Sequence, residues 1–269
     1  MRLFCVSAAG VALFSWPFWG LGLPAAAPAL ALALAAFLAL AAMESGTRRL
    51  DNRALALLAV LAALDAGLRL VLVTGIGGFS PMFLLILCAG YVFGGAFGFL
   101  VGAASLLVSG IATGGVGPWL PYEMFAAGWV GLAAGLAGRT AAAQPPSRRD
   151  LCVLAGVGIV AGFAYGAVMY VWDWTFFRGD PGIGWVPGMA PSTAMAHYGR
   201  FYLTTSVAYD AFRAGGNAVM VLALGRPVLL AMRRFRTRFS TEWVAGAVSA
   251  ACSVGERVRP GDQPAAGSG

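Results

Sequence analysis

The chain contains no lysine, and all 18 of its basic residues are arginine. A P-loop needs a lysine for the phosphates and a Schiff-base enzyme needs its amine, so neither chemistry is encoded. If ATP powers this protein, another subunit binds it. There is a single histidine, His197, and a lone imidazole without convergent partners is a poor basis for catalysis or metal binding. Cys5, Cys88, Cys152 and Cys252 are scattered singly, with neither C-x-x-C spacing nor a zinc motif, and read as small apolar residues. Ser105 and Ser109 lie in a Gly/Ala-rich run with no nucleophile-elbow motif, so nothing compels an enzyme. Charge is scarce as well: 11% of residues carry one, against about a quarter in an ordinary soluble domain.

What is present is apolar. Hydrophobic residues make up 59% of the 269 positions and the mean hydropathy is +0.79, which marks an all-α integral membrane protein. The net charge of +7 would suggest nucleic acid in a soluble chain. Here the arginines lie between and after apolar runs, where they act as a topology signal, so no nucleic-acid partner is expected.

Taken in order, the first apolar run (3–23) is long enough to cross a membrane, and Ala25-Ala26-Ala27 beyond it also offers a signal-cleavage site. Its length and its Trp16-Pro17-Phe18-Trp19 cluster, read as an interfacial belt, favour a retained helix. An Ala/Leu crossing (24–43) follows, then an arginine-bearing inner loop and a third crossing (54–73). Ala59, Ala62, Ala63 and Ala66 give that helix a smooth face of the kind that docks another helix. Asp65 and Arg69, four apart on it, could pair along one face, as a structural ion pair or as part of a ligand site. The stretch 81–111 divides best at Gly94-Gly95 into two short helices joined by an inner turn. A helix over 121–138 returns inward, one over 151–172 goes out, and the aromatic, Gly- and Pro-rich loop 173–197 falls outside as an ordered cap. The last crossing (198–224) leads into a basic segment, Arg226 to Arg238, placed on the anionic inner surface, and a Pro/Gly/Ser-rich tail from about residue 255, read as disordered. The inventory is eight crossings with both termini cytoplasmic, or seven if the first is cleaved. Three regions result: an N-terminal hydrophobic extension (1–47), a compact bundle of six core helices (48–230) and a basic juxtamembrane segment with its tail (231–269).

Residues 81–138 are the centre of this layout. Gly90, Gly94, Gly98 and Gly102 recur every four positions, as do Gly131 and Gly135, and Gly158, Gly162 and Gly166 form a further stripe. Such stripes let helix backbones approach closely in lipid, where packing rather than water drives association. The turn between the ribs carries Trp119, Tyr122 and a single carboxylate, Glu123, at a helix start. In the last crossing Asp210 and Arg213, three apart, can satisfy each other.

The run GYVFGGAFGFLVGAASLLVSGIATGGVGPWLPYEMFAAGWVGLAAGL, the preceding GGFSPMFLLILCAG and the later YDAFRAGGNAVMVLALGRPVL resemble substrate-specific S components of energy-coupling factor (ECF) transporters, most of all the group linked with cobalamin. The resemblance covers about 53–230, and its most specific block is Gly117, Pro118, Trp119, Pro121, Met124 and Phe125. That group commonly carries Gln where this chain has Glu123. The resemblance implies a bacterial cell-membrane protein with no cofactor that captures a vitamin or similar micronutrient, with cobalamin or a corrinoid as the leading candidate, at its outer face. Its implied partners are a transmembrane T component, docked through Ala59, Ala62, Ala63 and Ala66, and two ATPase subunits. From topology, the outer loops would supply Phe79, Ser80, Trp119, Tyr122, Glu123, Trp172, Trp174 and Trp185 as a pocket, with Arg69 and Arg200 to neutralise an anionic group on the ligand. The alternatives are a membrane enzyme using Asp65, Asp210 or His197, and a structural helix bundle.

Overall fold

The computed structural model describes residues 2–21, 26–46, 51–71, 80–140, 145–177 and 180–255. Among these the regular structure is all helical, with no strand: α1 (Arg2–Ser15), a 3₁₀ turn (Trp16–Trp19), α2 (Ala26–Gly46), α3 (Asn52–Val71), α4 (Met82–Phe93), α5 (Gly95–Ala112), α6 (Leu120–Ala137), α7 (Arg148–Trp174), α8 (Pro191–Phe201), a π turn (Tyr202–Ser206) and α9 (Val207–Gly255). Gly95–Ala112, Arg148–Trp174 and the continuous stretch Pro191–Thr237 are long and apolar enough to cross a membrane, by length and composition, among the described residues. The anticipated tail beyond residue 255 lies outside the described residues.

The expected corner at Gly94 is there. Its φ of 99° is open to glycine and disfavoured for other residues, so the chain stops α4 and starts α5 within one position. Because α4 is thereby folded back on α5, both pack on α6, and α5 with α6 is the most extensive helix pair in the bundle. The glycine ribs are the reason they can. Gly90, Gly98 and Gly131 meet where α4, α5 and α6 come together: a methyl group added at Gly131 would overlap the Gly98 carbonyl, and one at Gly90 or Gly98 would overlap the carbonyl of Gly131. Gly102 rests on the Ala127 carbonyl and Gly135 on the backbone of Gly95 in the same way. Phe83, Ile86, Leu87, Leu100, Leu106, Leu120 and Phe125, all nearly or fully buried, fill the space beside this contact.

The stripe on α7 receives α9. Gly158 faces Asn217, Gly162 faces Ala214, and Gly166 leaves the room that the Asp210 carboxylate occupies. Asn217 Nδ2 donates to the Gly158 carbonyl at 3.0 Å and Arg213 Nη1 to that of Gly162 at 3.3 Å. Asp210 and Arg213 pair as expected, with Arg213 lying 5.4 Å over the Tyr165 ring and Tyr202, in the π turn, donating to Asp210 at 2.7 Å. Every charge in this interface is thus met by its opposite or by a hydroxyl, the condition for carrying it at membrane depth.

At the other end of α7, Ser147 and Asp150 form a capping box. The same Asp150 accepts from Tyr91 at 2.7 Å and lies 3.2 Å from Arg233. Arg233 belongs to the basic segment expected on the inner surface, but it is only 5% exposed; the helix continues unbroken past Pro227 and carries it into a buried latch. Arg236 adds a bond from Nη1 to the Val92 carbonyl at 2.7 Å.

The alanine face divides in two. Ala62 and Ala66 are 2% and 3% exposed and point into the bundle, so they are not free to dock a partner. Ala59 and Ala63 are exposed, in line with Gly67, where an added Cβ would meet nothing within 4 Å. The first segment is packed as part of the bundle: α1 lies on α2 and α6, Gly10 sits against the Phe125 and Trp129 rings, and Trp129 donates to Ser7 Oγ at 3.2 Å.

Gly131→Ala forces backbone away from backbone and is expected to cost about 1–3 kcal/mol. Gly67→Ala meets open space and replaces a poor helix former, so it should be neutral or stabilising by up to about 1 kcal/mol. Unfolding midpoints of the two variants in mild detergent check this; equal effects would mean that the ribs are not in contact.

Candidate functional site

Two groups of polar and aromatic side chains meet at the end of the bundle where α3, α5 and α7 finish and α6 begins. The first is charged. Arg69, in the last turn of α3, does not pair with Asp65. Its Nη2 binds Glu123 Oε1 at 2.9 Å and its Nη1 donates to Ser109 Oγ at 3.2 Å. Glu123 is in the first turn of α6, where the helix dipole favours a carboxylate, so one acid serves both the helix and the arginine. The pair is partly sheltered, with side-chain exposures of 29% for Arg69 and 15% for Glu123.

The second group is an aromatic cap. Trp16, Trp174, Trp185, Ala194 and Phe201 form a buried cluster, with Phe18, Tyr170, Phe177, Ile183, Met189 and Tyr198 packed around it. Its ring edges are tied down: Trp174 Nε1 donates to the Ile183 carbonyl at 2.7 Å, Trp185 Nε1 to that of Pro17 at 3.1 Å, and His197 Nδ1 lies 2.9 Å from that of Gly184. Phe18 stacks on Trp174 at 5.8 Å and Trp16 meets Trp185 edge-on at 5.2 Å.

Tyr122 joins the two groups. It neighbours Glu123 in sequence, its ring lies 4.8 Å from Trp172 and 4.8 Å from Phe14, and its hydroxyl accepts from Trp16 Nε1 at 3.2 Å. Residues from α1, the 3₁₀ turn, α6, α7, the following loop and α8 therefore converge on one region.

Of the expected site residues, Arg69, Tyr122, Glu123, Trp172, Trp174 and Trp185 come together here. Ser80, just before α4, is half-buried, and its hydroxyl has no partner among the described residues. Trp119 stands at the rim, 42% exposed, with its ring over Gly117. Arg200 is exposed, and its contact is a long one, 3.4 Å from Nη1 to the Gly182 carbonyl. Phe79 lies outside the described residues. The expectation missed Phe14, Trp16 and Phe18, which supply one side of the cap; the signal was the Trp-Pro-Phe-Trp run, read as an interfacial belt. Tyr198 and Ser109 were missed as well.

The three groups considered for an enzyme do not form one site. Asp210 is engaged with Arg213 and Tyr202, His197 belongs to the cap, and Asp65 lies between α3 and α5. Among the described residues no cluster of three or more His, Cys, Asp or Glu could hold a metal.

A separate cleft of about 360 Å³ opens at the side, between α6 and α7, lined by residues including Trp129, Val130, Ala133, Val160, Ala164 and Tyr165. Its walls are almost wholly apolar and carry none of the expected ligand residues, so it lacks the few polar groups that orient a ligand.

Glu123→Ala leaves Arg69 half-sheltered with only Ser109 and is expected to lower stability by about 1–3 kcal/mol, less than a fully buried pair would lose. The double replacement Arg69→Met with Glu123→Leu should recover most of that. Denaturation of both variants in detergent decides it, since additive losses would mean that the two charges are not coupled.

Compared with known protein families, curated proteins and solved structures, the chain matches none, so its functional reading rests on the residues and the geometry described above.

Proposed function

We propose that the chain is the membrane-embedded substrate-binding subunit of an ECF-type importer. It captures a vitamin or related micronutrient at its outer face, with cobalamin or a corrinoid as the first candidate to test. In this reading the bundle crosses the membrane with six core helices, α3 to α7 and the α8–α9 rod, and α1 and α2 are an N-terminal addition. A T component and two ATPase subunits provide the energy, since the chain has no lysine for a nucleotide site of its own.

The observation that carries the reading is the convergence at Tyr122-Glu123. The sequence block with the family resemblance places one of these residues against the aromatic cap and the other on a sheltered arginine. Aromatic faces around a small number of fixed polar groups are the usual make-up of a small-molecule site. The cap is closed by ring-on-ring contacts, so a ligand as large as a corrin enters only when the 3₁₀ turn and the loop before α8 part. The exposed line of Ala59, Ala63 and Gly67 is the docking face this reading assigns to the T component.

Purification in mild detergent, followed by mass spectrometry of co-purifying small molecules and of captured subunits, tests the proposal. A retained vitamin-like compound, lost or reduced in Tyr122→Phe and Trp172→Ala, is the expected result. No retained compound, no binding of added cobalamin or other vitamins, and no captured T component or ATPase would rule the reading out.

A further inference from the structure

Asp65 and Arg69 are one turn apart on α3, and Ser105 and Ser109 are one turn apart on α5, the helix against which α3 chiefly packs. The two helices therefore face each other as a ladder with two rungs. The Arg69–Ser109 rung is complete: both Nη groups of the guanidinium are engaged, with Ser109 and with Glu123. The other is not. Asp65 has no exposed surface and Ser105 only 2%. Neither oxygen of Asp65 nor Ser105 Oγ makes a well-formed hydrogen bond among the described residues, and the Ser105 hydroxyl is the one hydrogen-bonding group close enough to act on the carboxylate.

An ionised carboxylate sealed in an apolar bundle with only one hydroxyl beside it is among the most costly groups a folded chain can hold. The charged groups around it do not remove that cost. Arg69 on the same helix attracts it but is already paired with Glu123 on α6, while α4 and α5 carry no charged residue. The titratable side chains of α4 are Cys88 and Tyr91, and the Tyr91 hydroxyl is committed to Asp150. The cluster is thus one positive charge short, at a point where three hard oxygen atoms lack a well-formed hydrogen bond.

We propose that the Asp65–Ser105 rung is a binding site for one monovalent cation, a proton or a sodium ion, with the Asp65 carboxylate as its main ligand and Ser105 Oγ as its second. Oxygen-only ligation suits a hard cation, and a bound proton lets the acid donate to Ser105 Oγ. The site is independent of the importer reading, but it sits one turn from the residues that reading uses. A ligand that draws Glu123 away from Arg69 would free the guanidinium for Asp65 and expel the cation, and by linkage the cation would then oppose that ligand.

The test needs no ligand. The full chain in detergent is unfolded thermally in sodium chloride and in choline chloride at equal ionic strength. Its infrared spectrum is recorded at neutral pH for the carbonyl stretch of a protonated carboxylic acid. A sodium-dependent rise of several degrees in the midpoint, absent in Asp65→Asn, identifies a sodium site. No sodium effect, together with a protonated-acid band that disappears in Asp65→Asn, identifies a proton site. Should Asp65→Asn fail to fold, Ser105→Ala reads the same site through a weakened sodium effect or a shifted acid band. Absence of both the sodium effect and the acid band in the unaltered protein overturns the proposal.

Discussion

The close approach of three helix backbones at Gly90, Gly98 and Gly131 is the contact on which the rest of the bundle depends. In lipid there is no hydrophobic force between helices, so association must come from packing and polar contacts. Here the packing is backbone on backbone, with carbonyls occupying the space that any side chain would need. This fixes α6 against α5, and α6 brings Tyr122 and Glu123 to one end of the bundle. Since α3 packs on α5, it also brings Arg69 within reach of Glu123. The glycine stripe of α7 does the same for α9, which can insert a carboxylate, a guanidinium and an amide into a helix interface only because Gly158, Gly162 and Gly166 leave room for them.

The two ends of this frame are built differently. One carries aromatic rings held by single hydrogen bonds and edge contacts, and is assembled from several loops and helix ends. The other is an ionic latch in which Asp150 caps α7, accepts from Tyr91 and meets Arg233. In the proposed function the layered cap is the end that opens and the ionic latch the end that stays closed. That asymmetry agrees with uptake from outside, as proposed for the chain.

Much of the frame was legible in the sequence, because glycine spacing, a helix-breaking Gly-Gly pair and an i, i+3 ion pair are local signals. Gly94 ends a helix where expected, the α7 stripe meets a neighbour, and Asp210 pairs with Arg213. Contacts distant in sequence were harder to read. The spacing allowed Arg69 to pair with Asp65, four residues away, but it binds Glu123, 54 residues on, because the frame brings the start of α6 to the end of α3. Trp16 and Phe18 looked like residues of a membrane interface, and only the folded chain shows them packed against Trp174 and Trp185. The alanine face was legible as one face, since its spacing of i, i+3, i+4 and i+7 gives that, but not that the edge of the bundle runs along it, covering Ala62 and Ala66 and leaving Ala59 and Ala63 outside.

The central claim is that the glycine frame stands in the membrane with the Tyr122–Glu123 region outside and the Asp150–Arg233 latch inside. Labelling of single cysteines introduced into a cysteine-free chain, with a membrane-impermeant maleimide on intact cells, tests it most directly. Thr113→Cys, in the exposed turn between α5 and α6, should react in intact cells, and Arg149→Cys, exposed at the start of α7, only after permeabilisation. The reverse pattern, or reaction of both in intact cells, would contradict the account.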